Sequence, residues 1–252
     1  MKKLFLVLLI GVSITQLRSQ EIDKTTKQAL SNEDRNFRIP LIGEKAPSFT
    51  AETTNGTMNF PTDYGSSWKI LFSHPKDFTP VCSTEILELA HLQKQFEKLG
   101  VKLVVVSTDR LETHVQWKKA LEALKLDDRE PVKIKFPFVD DENIVVAKEY
   151  GMIHPETNST RSVRGVFIID PGNIIQAIYF YPMNVGRNTE ELIRMVTALQ
   201  LTAREKVLTP VNWKEGKDVL VHTPPKVDDN SLKAELTGYY NPAWFLWYKK
   251  SN

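Results

Sequence analysis

A strand, a polar loop and a helix follow one another between residues 68 and 99, and this unit constrains the chain most. The apolar run 70–72 is typical of the end of a buried strand. Behind the loop, one helix face is predicted from five apolar residues, Ile86, Leu89, Leu92, Phe96 and Leu99. Gly100 is the expected stop after this helix. The unit therefore places Cys82, the one cysteine of the 252-residue chain, on a loop or first turn at the helix N-terminus.

That position has a chemical consequence for Cys82. The first helical turn presents unpaired N–H groups and the positive end of the helix dipole, and both favour the nucleophilic thiolate over the thiol. Thr79 brings a hydroxyl to the same spot, and Pro75 and Pro80 restrict the loop backbone. The alternative is that Cys82 is a small buried apolar residue, the commonest fate of a free cysteine.

The loop sequence 74–82, His-Pro-Lys-Asp-Phe-Thr-Pro-Val-Cys, resembles the active-site signature of peroxiredoxins. It is similar in particular to the one-cysteine branch, the peroxiredoxin-6-like group. The resemblance implies an α/β chain, with a thioredoxin-like fold and a small C-terminal peroxiredoxin domain. It also implies a thiol-dependent peroxidase that reduces hydrogen peroxide and organic hydroperoxides to water and alcohols through a Cys82 sulfenic acid.

The resemblance assigns catalytic roles to four residues. Cys82 is the nucleophile, and Pro75 shields its thiolate. The Thr79 hydroxyl and the Cys82 backbone N–H hold the peroxide oxygens. Arg164 helps to keep Cys82 ionised, and an arginine that begins an otherwise apolar strand has to be paired with something. The alternative for Arg164 is a surface salt bridge.

Three supporting residues also match the family pattern. Glu85 is expected to fix the loop, and His74 to lie behind the groups that touch the peroxide, with a purely structural role as its alternative. Arg187 is expected to add positive potential, and its alternative is a helix-cap or interface arginine.

A single cysteine also limits the partners and cofactors of the chain. It excludes an intrachain disulfide, a cysteine-cluster metal site and a resolving cysteine on the same chain, so an external thiol has to reduce Cys82. The alternative is an intermolecular Cys82–Cys82 bridge, which would consume the reactive group. The five histidines show no metal-binding spacing, and no cofactor is expected.

With 33 basic and 31 acidic side chains, nothing points to nucleic acid. The resemblance implies a homodimer or a higher homo-oligomer.

Strands and helices are predicted to alternate over residues 39–202, the expected thioredoxin-like domain. The predicted elements are strands 57–60, 68–73, 102–107, 136–140, 163–170 and 174–180, and helices starting near 109 and 143 and spanning 189–199. Residues 203–252 form the expected C-terminal domain, since 210–216 resembles that domain of one-cysteine peroxiredoxins. In that family the domain supports dimer formation and covers the active-site region.

The N-terminus is predicted to be an export signal. Lys2 and Lys3 precede the apolar core 4–12, which is too short to span a bilayer, and cleavage is expected after Ser19. Residues 20–38 are then a polar leader. We expect export to a periplasm or the extracellular space, and the alternative is an uncleaved segment that tethers the protein to a membrane.

The C-terminal stretch 239–250 is dense in aromatic residues and has a basic tip. It departs from the better-known animal peroxiredoxins of this branch, so no family role is assigned to it. We expect it to be buried against its own domain or a partner subunit, and docking on a membrane surface is the alternative.

The sequence also bears on two further activities. Some animal relatives carry a phospholipase built on Gly-x-Ser-x-Gly, but residues 65–69 lack the last glycine and Pro61 stands where those relatives have the catalytic histidine. A serine hydrolase needs that base, so this activity is not expected. A redox sensor or holdase that uses Cys82 as a switch stays open, because sensor cysteines share the same environment.

Overall fold

Residues 38–126, 128–222 and 238–251 are described by the structure, a computed structural model. The predicted signal peptide and almost all of the predicted polar leader lie outside these residues. Within the described ranges, no helix is long and apolar enough to cross a membrane.

A five-stranded mixed sheet forms the centre of the fold, in the order β5-β4-β3-β6-β7. Its strands are β3 (Trp68–Ser73), β4 (Val101–Ser107), β5 (Phe138–Asp140), β6 (Arg164–Ile169) and β7 (Ile175–Tyr181). The first three run parallel, while β6 is antiparallel to β3 and β7 is antiparallel to β6. Strands β1 (Phe49–Ala51) and β2 (Met58–Phe60) form a separate ribbon. The α/β, thioredoxin-like prediction is confirmed.

Side chains alternate along the central strand β3 because successive residues point to opposite sheet faces. Ile70 and Phe72 pack into one buried cluster, which also contains Cys82. Leu71 packs into the other, with Val104. Both faces of β3 are buried, as expected for an inner strand of a sheet that helices cover on both faces.

Helices cover the two faces of the sheet. They are α1 (Pro80–Lys98), α2 (Leu111–Glu122), α3 (Val145–Glu149) and α4 (Thr189–Glu205). Apolar residues of α1, α2 and α4 join the cluster that contains Phe72, and those of α3 join the opposite one. The loop 74–79 connects the carboxyl end of β3 to α1, which places the first turn of α1 at that end of the sheet.

The predicted elements are all present, with different ends. Helix α4 runs to Glu205, six residues beyond the predicted Leu199, and ends at Lys206 with a φ of 54°. Helix α2 starts at Leu111, two residues beyond Asp109, whose carboxylate accepts a hydrogen bond from Asp77 N in the loop before the helix. Gly100, with a φ of 68°, follows α1 as expected.

The C-terminal segment packs on α4 through Trp213. This side chain is buried beside Ala198 of α4, and its indole N–H donates to the carbonyl of Lys217. Beyond it, β8 (Val219–Leu220), β9 (Tyr239–Ala243) and β10 (Leu246–Lys249) form a small antiparallel sheet.

The turn between β9 and β10 carries the aromatic tip, Trp244 and Phe245. These side chains are 84% and 70% exposed. The expectation that this part of the aromatic stretch is buried against its own domain is therefore wrong, because the hairpin turn points both rings away from the chain. Burial by a partner subunit and docking on a membrane stay predictions.

Candidate active site

Cys82 is fully buried at the third position of α1. Thr79 is the residue before the helix and Pro80 is its first residue, where a missing N–H does no harm. The first intrahelical hydrogen bond is donated by Ser83 N to Thr79 O at 2.9 Å. The N–H groups of Val81 and Cys82 therefore have no intrahelical acceptor and mark the positive end of the helix dipole.

Arg164, the first residue of β6, reaches Cys82 directly. Its Nη1 lies 3.2 Å from Cys82 Sγ, and its Nε donates to the carbonyl of Met183 at 3.0 Å. The side chain is buried, so the predicted placement of Arg164 at the cysteine agrees with the geometry and a surface salt bridge does not.

Glu85 bridges Arg164 and Arg187. Its Oε2 accepts from Arg164 Nη1 at 2.8 Å and from Arg187 Nη2 at 2.7 Å, while Oε1 accepts from Arg187 N and Nε. The carboxylate turns inward to two guanidinium groups, and the expectation that Glu85 fixes the loop stays a prediction. Burial raises the pKa of Glu85, but hydrogen bonds and charge from Arg187, with the charge of Arg164, outweigh burial and hold the pKa below its usual range.

Arg187 is neither a helix cap nor, within this chain, a surface group. It donates to Glu85 and, through Nη1, to the carbonyl of Gly165, and its guanidinium lies 3.3 Å from the centre of the Phe72 ring. Burial lowers the pKa of Arg187, and the contacts with Glu85 act in the opposite direction. A guanidinium remains protonated in proteins, so Arg187 contributes a full positive charge.

The charges of this cluster balance in only one protonation state of the cysteine. Two buried guanidinium groups face one buried carboxylate, which leaves one positive charge in excess. A Cys82 thiolate removes that excess, whereas a thiol leaves it unpaired. Since an uncompensated buried charge is costly, the cluster favours the thiolate.

The remaining predicted catalytic residues lie in the loop that leads into α1. The Thr79 hydroxyl donates to the Lys76 carbonyl at 2.8 Å, which leaves its oxygen lone pairs free to accept. Pro75 is buried in the loop between β3 and α1. Phe78, with a φ of 54°, stands exposed in the same loop.

His74 does not contact the arginine cluster; it binds Asp77. Nε2 of His74 lies 2.7 Å from Asp77 Oδ1, and Nδ1 of His114 lies 2.7 Å from Asp77 Oδ2. Asp77, His114 and the neighbouring Asp109 were not selected from the sequence. Asp77 stands inside the loop motif 74–82, but His114 is 37 residues away, and no spacing pattern connects them.

His74, Asp77 and Asp109 place ligand-type atoms within 4.8 Å of one another. Hydrogen bonds already occupy these groups: His74 binds Asp77, and Asp109 Oδ2 accepts from Asp77 N at 2.8 Å. Asp109 Oδ1 accepts from Arg161 Nη1 at 3.0 Å. The cluster is therefore a hydrogen-bonded network that supports the loop.

Comparison with known families gives two matches along the chain. Residues 42–178 match the AhpC/TSA family, and residues 198–238 match the C-terminal domain of 1-Cys peroxiredoxin. The first match covers Cys82, Arg164 and the loop 74–79 that connects β3 to α1. The aromatic hairpin lies beyond the second match.

Individual relatives agree with the family matches. A peroxiredoxin of Methanosarcina mazei is 44% identical over 84% of this chain and 98% of its own length. A mitochondrial peroxiredoxin of Saccharomyces cerevisiae is 41% identical over 83% of this chain and 80% of its own length.

Two solved structures are also similar. The yeast mitochondrial 1-Cys peroxiredoxin, studied for thiol resolution through glutathione and thioredoxin systems, has a TM-score of 0.73 and 39% identity, over 84% of this chain and 100% of its own. A cysteine-to-serine mutant of peroxiredoxin 6 of Arenicola marina has a TM-score of 0.74 and 33% identity, over 84% and 99%.

The thioredoxin-like fold places a buried cysteine in the first turn of a helix, and an arginine of the sheet contacts its sulfur. This fold and this site define a thiol-dependent peroxidase. The chain belongs to the peroxiredoxins, and within them to the 1-Cys peroxiredoxin family.

Proposed function

We propose that Cys82 performs the complete peroxidatic half-reaction and that an external thiol regenerates it. The observation that carries this proposal is the charge balance around Cys82, where Arg164 lies 3.2 Å from Sγ in a cluster that only a thiolate makes neutral. The thiolate is the nucleophilic form of cysteine.

In the first step, the Cys82 thiolate attacks one oxygen of the peroxide. An S–O bond forms with an electron pair of sulfur, the O–O bond breaks, and the leaving oxygen takes a proton to become water or an alcohol. Cys82 becomes a sulfenic acid, the first oxidation level of cysteine. The Thr79 hydroxyl and the free N–H of Cys82 hold the peroxide, and the positive charge of Arg164 stabilises the leaving oxygen.

In the second step, an external thiol attacks the Cys82 sulfenic sulfur and releases water. The mixed disulfide that forms is opened by a second thiol, which returns Cys82 as a thiolate and leaves an external disulfide. The sequence contains no second cysteine to do this. The yeast relative, studied with glutathione and thioredoxin systems, makes a small thiol or a dithiol protein the first reductants to test.

The test is peroxide consumption with excess dithiothreitol, compared with Cys82→Ser. Many turnovers that the substitution abolishes support the proposal. A redox sensor would instead oxidise once, stoichiometrically, and stop. Separate reactions with hydrogen peroxide and an organic hydroperoxide would define the substrate.

The proposal includes a homodimer or a higher homo-oligomer. Its support is the exposed aromatic tip, since rings of this size are enriched at subunit interfaces. Light scattering on the wild type and on a Trp244→Ser/Phe245→Ser variant tests it. A smaller mass for the variant supports an interface at the tip, and a monomeric wild type contradicts the proposal.

The proposal also includes export through the segment 1–19. Its support is the charged start, the short apolar core and the polar stretch that follows. Mass spectrometry of the protein expressed in its own cells tests this point. A mature chain that starts at Gln20 outside the cytoplasm supports export, and an intact Met1 in the cytoplasm contradicts it.

A further inference from the structure

A second buried cluster of ionisable groups lies beneath the loop that leads to Cys82. The Asp77 carboxylate joins two imidazoles, His74 through Oδ1 and His114 through Oδ2, each at 2.7 Å. All three side chains are fully buried. The peroxidatic step proposed above makes no use of this cluster.

The acceptors around His114 determine where its protons are. Nε2 of His114 lies 3.0 Å from the carbonyl oxygen of Val139, which can only accept, so Nε2 carries a proton. Nδ1 faces the Asp77 carboxylate, which also only accepts when it is ionised. With a proton on both nitrogens, His114 is an imidazolium that pairs with the Asp77 carboxylate.

His74 is different because only one of its nitrogens has an acceptor. Nε2 faces Asp77 and carries the proton, while Nδ1 is buried with no hydrogen-bonding partner among the described residues. His74 is therefore neutral. The cluster then holds one positive charge on His114 and one negative charge on Asp77.

The pKa shifts of Asp77 and His74 agree with the states assigned to these two residues. Burial raises the pKa of Asp77, but the hydrogen bonds from His114 and His74 and the charge of His114 outweigh burial, and the pKa lies below its usual range. Burial lowers the pKa of His74 more than Asp77 raises it, which keeps this ring neutral.

The two carboxylates near the pair have hydrogen-bonding partners of their own. Asp109, before α2, accepts from Asp77 N and is itself paired with Arg161 at 3.0 Å. Asp140, at the end of β5, accepts from Leu111 N at the start of α2. The ionisable groups to consider around His114 are thus His74, Asp77, Asp109, Arg161, Asp140 and, one turn along α2, Lys118.

We propose that Asp77 and His114 are positioning residues of the peroxidatic site. Their buried ion pair holds the turn 74–77 and keeps His74 as the neutral Nε2–H tautomer. That turn leads directly into Thr79 and Cys82, which must face the peroxide with sub-ångström accuracy. The inference rests on the proposed attack of Cys82 on peroxide.

Asp77→Asn changes the hydrogen bonds of residue 77 while it keeps the side-chain volume nearly constant. Asparagine fills nearly the same space, but it offers one acceptor and one donor where the carboxylate accepts from both rings. One imidazole therefore has to change its proton arrangement or lose its bond. His114→Gln removes the cation, and His91→Gln, a half-buried histidine on α1 outside this network, is the matched control.

The experiment combines two measurements on the full chain. Histidine-labelled protein is examined by long-range proton–nitrogen correlation, which distinguishes both neutral tautomers from the imidazolium. The rate constant for a single oxidation of Cys82 by hydrogen peroxide is measured in parallel. Because this rate needs no external thiol, a failure of catalytic turnover is distinguished from a failure of positioning.

At neutral pH we expect His114 with both nitrogens protonated and His74 protonated on Nε2 alone. We expect Asp77→Asn to abolish this pattern and to slow Cys82 oxidation about 10²-fold, the cost of a small misplacement of a reacting group. His91→Gln should match the wild type. An unprotonated nitrogen on His114, or a folded Asp77→Asn with the wild-type oxidation rate, would overturn the proposal.

Discussion

Replacing Arg164 with glutamine removes the positive charge nearest to Cys82 and changes the charge balance of the site. Glu85 and Arg187 then form a neutral pair on their own. A Cys82 thiol leaves that variant balanced, and a thiolate does not. We therefore expect Arg164→Gln to lose reactivity while it keeps much of its stability.

The size of the loss follows from the contact distance. At the 3.2 Å between Arg164 Nη1 and Cys82 Sγ, two unit charges attract by about 5 kcal/mol at an effective dielectric constant of about 20. The guanidinium charge is spread over three nitrogens, so about 3–4 kcal/mol is available to the thiolate and the transition state. We expect kcat/KM for hydrogen peroxide to fall about 10²–10³-fold.

The assay is peroxide consumption with excess dithiothreitol, together with the ultraviolet absorbance of the thiolate as a function of pH. Arg164→Lys keeps the charge but not the forked geometry, and should lie between the wild type and Arg164→Gln. Arg129→Gln, which breaks a half-buried ion pair with Glu88, is the matched control, and its kcat/KM should be unchanged. A folded Arg164→Gln with wild-type kcat/KM would refute the charge-balance reasoning.

Three further predictions concern neighbouring groups. Glu85→Gln leaves two buried guanidinium groups without a carboxylate, so the free energy of unfolding in urea should fall by about 3–5 kcal/mol, and a loss below about 1 kcal/mol would contradict the bridging role. Thr79→Val removes the hydroxyl and should lower kcat/KM by about 10²-fold, while Thr79→Ser retains it; equal rates for the two variants would argue against a peroxide contact. Because the pKa of Asp77 is depressed in the folded state, its stabilisation is present above the unfolded-state pKa and is lost as pH falls. As pH falls, the free energy of unfolding in urea should therefore decrease less steeply for Asp77→Asn than for the wild type. Parallel pH profiles for the two proteins would contradict this.

The position of Cys82 in the fold was predictable from local pattern. Strand β3 has the predicted bounds because its apolar run is continuous and ends at the polar loop. Helix α1 follows from the spacing of its buried face and from the glycine behind it. The end of α4 was not predictable in the same way, because no glycine or proline follows Leu199 to stop the helix.

The partners of the charged residues were beyond the reach of the sequence pattern. Glu85 binds Arg164 and Arg187, which are 79 and 102 residues away, and the pairings of β6 with β3 and of β7 with β6 bring them together. A glutamate on a helix next to a loop looks locally like a residue that fixes the loop. Likewise, nothing near His114 indicates that its acceptor is Asp77.

The aromatic tip shows a different limit. Aromatic density predicts burial somewhere, since such side chains remove large apolar areas from water. The hairpin turn, however, holds Trp244 and Phe245 outside the fold of one chain. Aromatic density in the sequence therefore did not predict whether these two rings pack on their own chain.

The central claim is that Cys82 turns over as a peroxidase with an external thiol. Its most direct test is peroxide consumption by the chain from Gln20 onward, with excess dithiothreitol, beside Cys82→Ser. We predict many equivalents of peroxide consumed per chain by the wild type and none by the variant. Consumption of a single equivalent, followed by arrest with thiol still in excess, would contradict the claim and favour a redox switch.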